Sequence, residues 1–271
     1  MELGVRDRNY VIFGGTRGIG LAAARALADD GASVALVGRN ASRAADAASI
    51  VSNEVDGERG GRTIGLAGDL CTPGDAERVL ETAQQELGVV RGVAVTTGLG
   101  MRGQRTLLAA SDDDWDDTFS DVLLATVRAC RAAVPVLVEG GGGAIVTTAA
   151  YSVRAPKAHQ VPYASLKAAV ATLTKTIAKS HGPDGVRANC VCPGATETEI
   201  LAAMRVAFAR DRGWPENEAL ERAMVEDWGM HVALGRAAKP AEVGDVIAFL
   251  LSERASYVTG ALLNVDGGTD F

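Results

Sequence analysis

The sequence has no excess of positive charge. Its 27 lysines and arginines face 34 aspartates and glutamates, a net charge of −7. That balance argues against a nucleic-acid or anionic-membrane surface and keeps any phosphate-facing basic spot small. Cysteine is sparse as well. Cys71, Cys130, Cys190 and Cys192 are the four present, and the alternating pair in "RANCVCPG" has no histidine or further cysteine close by to complete a metal site. The pair therefore reads as structural, and no metal is expected. His159, His181 and His231 lie scattered without ligand-like spacing. No apolar run reaches the ~20 residues that cross a bilayer. The opening "MELGVRDRNY" lacks the apolar core of a signal peptide. Nor is there a low-complexity tract, a long charge run or a Pro- or Ser-rich linker. These absences predict a soluble protein of the reducing cytoplasm, folded as a single domain over 1–271.

What is present is alternation. Hydrophobic residues make up 47% of the chain, ample for a large core. Short apolar runs, "YVIFGG" (10–15), "SVALVG" (33–38), "RTIGLAGDL" (62–70), "GVAVTTG" (92–98), "GGGGAIVTTAA" (140–150), "GVRANCVC" (185–192) and "ALLNVD" (261–266), read as strands. Between them, helical spacing runs over 18–30, 41–55, 73–87, 115–138, 161–181, 199–231 and 240–251. Pro73 suits a first helical turn, and "SDDDW" puts acids where a helix dipole favours them. Near-continuous apolar strands are those covered by helices on both faces. The pattern predicts an α/β fold, one doubly wound parallel sheet with ligands at the carboxyl ends of its strands.

"GGTRGIG" (14–20) follows the first strand and opens a helix, with Gly14, Gly18 and Gly20 spaced G-x3-G-x-G. Bare backbone there lets a pyrophosphate approach the helix N-terminus and its unpaired N–H groups. An NAD-preferring fold carries an acid at the end of the second strand to hold the ribose hydroxyls. This chain has Gly38 and Arg39 instead, with Arg17 in the glycine turn. Two guanidiniums suit a 2′-phosphate and hence NADP; the alternative is two solvated surface arginines. Asp69 is placed either to meet an adenine amino group or to start a helix.

The glycine turn, "YASLK" (163–167) and "NCVCPGATET" (189–198), in this order, make the chain resemble the short-chain dehydrogenase/reductase family over nearly its whole length. The resemblance implies a Rossmann sheet of about seven strands, a homotetramer or homodimer, and a catalytic Tyr163–Lys167 pair. Positions four apart share a helix face. An ammonium beside the phenol is then expected to favour the phenolate, so that Tyr163 passes a proton to or from a substrate oxygen. The enoyl reductases of the family space this pair more widely. Carried onto this chain, the family's dinucleotide site covers Gly14, Gly15, Thr16, Arg17, Gly18, Ile19 and Gly20, then Arg39, Asp69 and Leu70. It continues through Thr96 and Gly98, Tyr163 and Lys167, and ends at Pro193, Gly194, Thr196 and Thr198.

The pattern also breaks. The family's serine, thirteen residues before the tyrosine, falls on Ala150, and its helix asparagine falls on Val122, with Asp121 one residue away. Its "NNAG" is here "VTTG" (95–98), and Phe13 replaces the threonine before the glycine turn. Losing one such donor costs on the order of 10²–10³ in rate in other enzymes. Ser152, or Thr148, is expected to share the strand face of Ala150 and to substitute. Other readings are a hydroxyl supplied by the substrate, or a catalytically weakened NADP-binding protein acting as sensor or assembly partner. The segment 199–234, with Met204, Phe208, Trp214, Met224, Trp228 and Met230, is expected to cover a bulky hydrophobic substrate, or else to be a plain helix pair packed on the sheet. The expected activity is an NADPH-dependent interconversion of a ketone and a secondary alcohol.

Overall fold

A computed structural model describes residues 2–55, 61–98 and 105–269. Seven strands form one parallel sheet in the order β3-β2-β1-β4-β5-β6-β7. They are β1 (Asn9–Phe13), β2 (Ser33–Gly38), β3 (Thr63–Ala67), β4 (Val90–Val95), β5 (Gly143–Thr148), β6 (Val186–Pro193) and β7 (Leu262–Val265). Along β1, Tyr10 and Ile12 enter one hydrophobic core and Val11 and Phe13 the other. Two-residue alternation with apolar side chains in both phases forces helices onto both faces.

One face carries α1 (Gly18–Asp29), α2 (Ala41–Glu54) and α9 (Pro240–Leu251), packed through Leu27, Val51, Val243 and Ile247. The other carries α3 (Asp75–Leu87), α5 (Ala125–Glu139) and α6 (Val161–His181), through Val79, Leu80, Leu137 and Ile177. Truncating a fully buried leucine such as Leu27 or Leu36 to alanine costs about 2–5 kcal/mol. Sheet order reverses between β1 and β4. Their carboxyl ends, where Thr96 donates its N–H and its hydroxyl to the Phe13 carbonyl, both at 2.9 Å, open the crevice that such folds use for ligands.

Several expected boundaries move. Helix α3 starts at Asp75, so Pro73 lies in the preceding turn, and Gly74, at φ 86°, leads into the helix. Helix α4 (Asp112–Thr118) does begin on its acids, closed by a reciprocal Ser111–Asp114 capping box. It runs into a π-helical stretch at Phe119–Leu124 before α5. The helical stretch expected over 199–231 is two helices, α7 (Glu199–Arg212) and α8 (Glu216–Glu226). Gly213 turns left-handed at φ 65° and Pro215 follows, which together stop α7. Among the described residues no helix is long and apolar enough to cross a membrane.

Candidate active site

A cleft of about 690 Å³ opens at the carboxyl ends of the strands. At one end the chain leaves β1 at Gly14, with φ 82°; a Cβ there would lie 2.9 Å from the Thr96 hydroxyl. A Cβ on Gly20 would meet the Gly14 carbonyl at 2.3 Å and the Thr96 hydroxyl at 2.4 Å. Only glycine lets α1 begin this close to the β1–β4 junction. Arg17 precedes α1 in extended conformation without capping it, and the first turn holds no acid. The helix therefore presents uncapped N–H groups at Gly18, Ile19 and Gly20, all lining the cleft. Thr16, Arg17, Arg39, Asp69, Leu70, Thr96 and Gly98 line it too. So does Arg43, which sequence reasoning missed because its helical position gave no hint that α2 aims it back at the crevice. Arg17 also reaches Glu199 at 3.6 Å, an exposed and weak pair.

Gly15 is the exception in the glycine turn. It is buried, and a Cβ there would strike the Ile12 carbonyl at 2.8 Å. Its role is close packing of β1 on β2, so it does not line the cleft. Asp69 accepts the Cys71 N–H at 3.0 Å, and its own N–H donates to Asp75 at 2.9 Å.

At the other end α6 brings Tyr163 and Lys167 onto one face. The Lys167 Nζ lies 5.8 Å from the Tyr163 ring centre and donates to the Thr148 carbonyl at 2.7 Å. Lys167 is 2% exposed. Burial pulls its pKa down to about 8, opposed weakly by the Cys190 and Cys192 thiols behind it. Tyr163 packs on Val122, Ala149, Val170, Cys190 and Cys192. Burial raises its pKa, with smaller upward contributions from Tyr151 and Cys192. Desolvation of the phenol thus works against the phenolate that the pair is expected to favour, while the ammonium points to a backbone carbonyl.

Pro193, Gly194, Thr196 and Thr198 line the cleft after β6; the Thr196 hydroxyl donates to the Gly194 carbonyl at 3.2 Å. The hydroxyls of Thr97 and Thr148, both at the cleft, are buried with no partner among the described residues. Val122 sits in the core, 2% exposed, while Asp121 lines the cleft and accepts the Cys71 thiol at 3.0 Å.

Ser152 is misplaced by the sequence reading. It is 2% exposed, its hydroxyl has no partner, and it does not line the cleft. The chain leaves β5 at Thr148 and enters a 3₁₀ turn at Tyr151–Val153, so two-residue alternation no longer applies. Ala150 and Tyr151 line the cleft in its place. Of the bulky residues in 199–234, Trp228 and Met230 reach the cleft. Phe208 stacks edge-on against Trp228, with centroids 6.2 Å apart, and Met224 joins Leu220, Met230 and Ala237 in a small core. Met204 lies outside the cleft. Trp214 lies between the guanidiniums of Arg212 and Arg222, 5.1 and 4.6 Å away, so it too is off the cleft. Arg205 pins the segment by a bidentate pair to Glu221 (2.8 and 2.9 Å) and a bond to Glu197.

A doubly wound sheet with a bare glycine turn at its crossover, and a Tyr–Lys pair on one helix face in the same cleft, defines a dinucleotide-dependent oxidoreductase. The comparisons agree. A family model described as enoyl-(acyl carrier protein) reductase matches residues 14–270. Meso-2,3-butanediol dehydrogenase of Serratia marcescens is 32% identical, covering 97% of this chain and 94% of its own. (3R)-3-hydroxyacyl-CoA dehydrogenase of Rattus norvegicus is 30% identical over 98% of both. The structure of L-sorbose reductase from Gluconobacter frateurii, complexed with NADPH and L-sorbose, superposes with a TM-score of 0.89 at 31% identity, covering 99% of this chain and 98% of that one. The chain belongs to the short-chain dehydrogenase/reductase family of nicotinamide-dependent oxidoreductases. The residues present fit such a cofactor: the side-chain-free turn, the uncapped N-terminus of α1 and the orphaned Thr97 and Thr148 hydroxyls all face the space it would occupy.

Proposed function

We propose that the protein is an NADPH-dependent oxidoreductase interconverting a ketone and a secondary alcohol on a fairly bulky substrate. The reading rests on Tyr163 and Lys167, 5.8 Å apart, sharing one cleft with the glycine turn. Gly14, Gly18 and Gly20 with the α1 N-terminus hold the pyrophosphate, and Arg17, Arg39 and Arg43 hold the 2′-phosphate. Asp69 and Leu70 border the adenine. Thr96, Gly98, Pro193, Gly194, Thr196 and Thr198 border the nicotinamide half, and Lys167 holds its ribose. When bound, the nicotinamide supplies or accepts the hydride. Tyr163, whose neutral form burial favours, gives its phenol proton to the carbonyl oxygen in reduction, which leaves a phenolate, and in oxidation the phenolate takes that proton from the alcohol. Trp228, Met230 and Leu201 form an apolar wall for the substrate's hydrophobic part, with Tyr151, His159 and Gln160 lining the same cleft. The segment 199–234 covers it, and the protein works as a homotetramer or homodimer of single-domain chains.

The test follows NADPH absorbance across ketones from small diketones to steroids and polycyclic quinones. Turnover that Y163F abolishes without weakening NADPH binding supports the reading. Ala150, a methyl where the family carries a hydroxyl, favours a second reading, a weakened NADP-binding sensor or assembly partner. Tight NADPH binding with no turnover on any member of the panel selects that second reading.

A further inference from the structure

Ala150 lines the cleft without a hydroxyl, and Ser152 is turned away from it. We infer that Tyr151, oriented by Gln160, supplies the hydrogen bond to the reacting substrate oxygen that the chain lacks at position 150. The inference rests on the oxidoreductase reading above.

The placement follows from the backbone. Tyr151 begins the 3₁₀ turn after β5, one residue past Ala150, and lines the same cleft as Tyr163. It packs against the small core of Leu220, Met224, Met230 and Ala237, as Trp228 and Leu201 do. The two phenols are close enough for Tyr151 to contribute to raising the Tyr163 pKa. Gln160 lines the cleft with Tyr151, and a bond between their side chains lowers the Tyr151 pKa while burial, the larger effect, raises it. With the Gln160 amide N–H donating to the phenol oxygen, the Tyr151 O–H is left for a ligand oxygen in the cleft. Gln160 is 8% exposed, and its Oε1 is buried without a protein partner. The residue lines the cleft, so this amide is set toward a ligand and not into the core.

Thr148, whose buried hydroxyl also lines the cleft without a partner among the described residues, is the weaker candidate. Its carbonyl is tied to Lys167. In reduction a hydride adds at carbon, the C=O π pair moves to oxygen, and the Tyr163 proton forms the new O–H bond. Tyr151 keeps its proton throughout. It donates only a hydrogen bond, which strengthens as charge builds on oxygen. Tyr151 thus touches substrate, and Gln160 is a positioning residue.

The experiment compares wild type, Y151F, Q160L, A150S/Y151F and Y163F, each checked for folding by thermal melting and for NADPH affinity by fluorescence. Y151F is expected to lower kcat on the order of 10²-fold, as loss of such a donor does elsewhere, with NADPH affinity unchanged. A150S/Y151F should recover much of that loss, because a serine at 150 restores a donor to the same oxygen; a merely structural role for Tyr151 would not be rescued this way. Q160L should lower kcat more than it raises KM. If Y151F fails to fold, Q160L carries the test alone. Wild-type kcat in Y151F or Q160L, beside an inactive Y163F, overturns the inference and leaves the oxidoreductase reading standing. Absence of turnover in wild type itself overturns both.

Discussion

Replacing Lys167 by methionine is expected to stabilise the protein at pH 7 while it removes turnover. Lys167 is 2% exposed, its one bond among the described residues is to the Thr148 carbonyl at 2.7 Å, and burial lowers its pKa from 10.5 to about 8. That fall corresponds to about 3 kcal/mol of differential interaction, at ~1.4 kcal/mol per pH unit. The sign follows from proton binding. Between pH 8 and 10.5 the unfolded chain holds the proton and the folded one has released it, so wild-type stability rises with pH across that window. Below pH 8 both states are protonated and the full cost is present; above 10.5 both are neutral and it is gone. Methionine carries no charge but forfeits the bond to Thr148, worth about 1–2 kcal/mol. Lys167→Met should therefore be about 1–2 kcal/mol more stable than wild type at pH 7, and about 1–2 kcal/mol less stable near pH 10.5. Urea denaturation of both proteins from pH 7 to 10.5 measures the difference, in which titrating groups away from Lys167 cancel and the neighbouring Cys190 and Cys192 thiols, which interact with it, do not. A stability difference flat across that range, or a variant less stable at pH 7, refutes the argument that the lysine is an uncompensated buried cation kept for function.

Three further outcomes are expected. Arg205→Met strips the bidentate partner from Glu221 and the bond from Glu197, with an arginine side chain only 14% exposed; thermal melting should show a loss of about 2–4 kcal/mol, and limited proteolysis should cut first within 199–234. Gly20→Ala places a methyl 2.3 Å from the Gly14 carbonyl, so calorimetry should find NADPH binding weakened at least about tenfold, ~1.4 kcal/mol. Arg39→Glu reverses charge at the end of β2, and fluorescence titration should show NADPH affinity falling while NADH affinity holds or rises; tighter NADH binding in wild type would contradict the 2′-phosphate assignment.

The Tyr163–Lys167 pair was legible because a four-residue spacing puts two side chains on one helix face in any context. The glycine turn was legible for the same local reason, since a strand that ends in glycine before an amphipathic run leaves few other conformations. The covering segment was legible only in outline. Hydrophobic content could not tell Trp228, which faces the cleft, from Trp214, which two arginines cover on the outside. Both are aromatic residues in or beside amphipathic helices, and the break at Gly213–Pro215 rotates one relative to the other.

The sequence by itself determined the alternation of strands and helices, the parallel sheet they must build, and the two ends of the cleft, because each depends on periodicities of two and 3.6 residues within one element. Only the tertiary structure decided which side chains stand beside Ala150 in the cleft and which way burial pushes the Tyr163 phenol. The first depends on where β5 gives way to a three-residue turn, which moves Ser152 away from the cleft and Tyr151 into it. The second depends on how much water the folded walls exclude, a sum over elements distant in the chain that raises the phenol pKa.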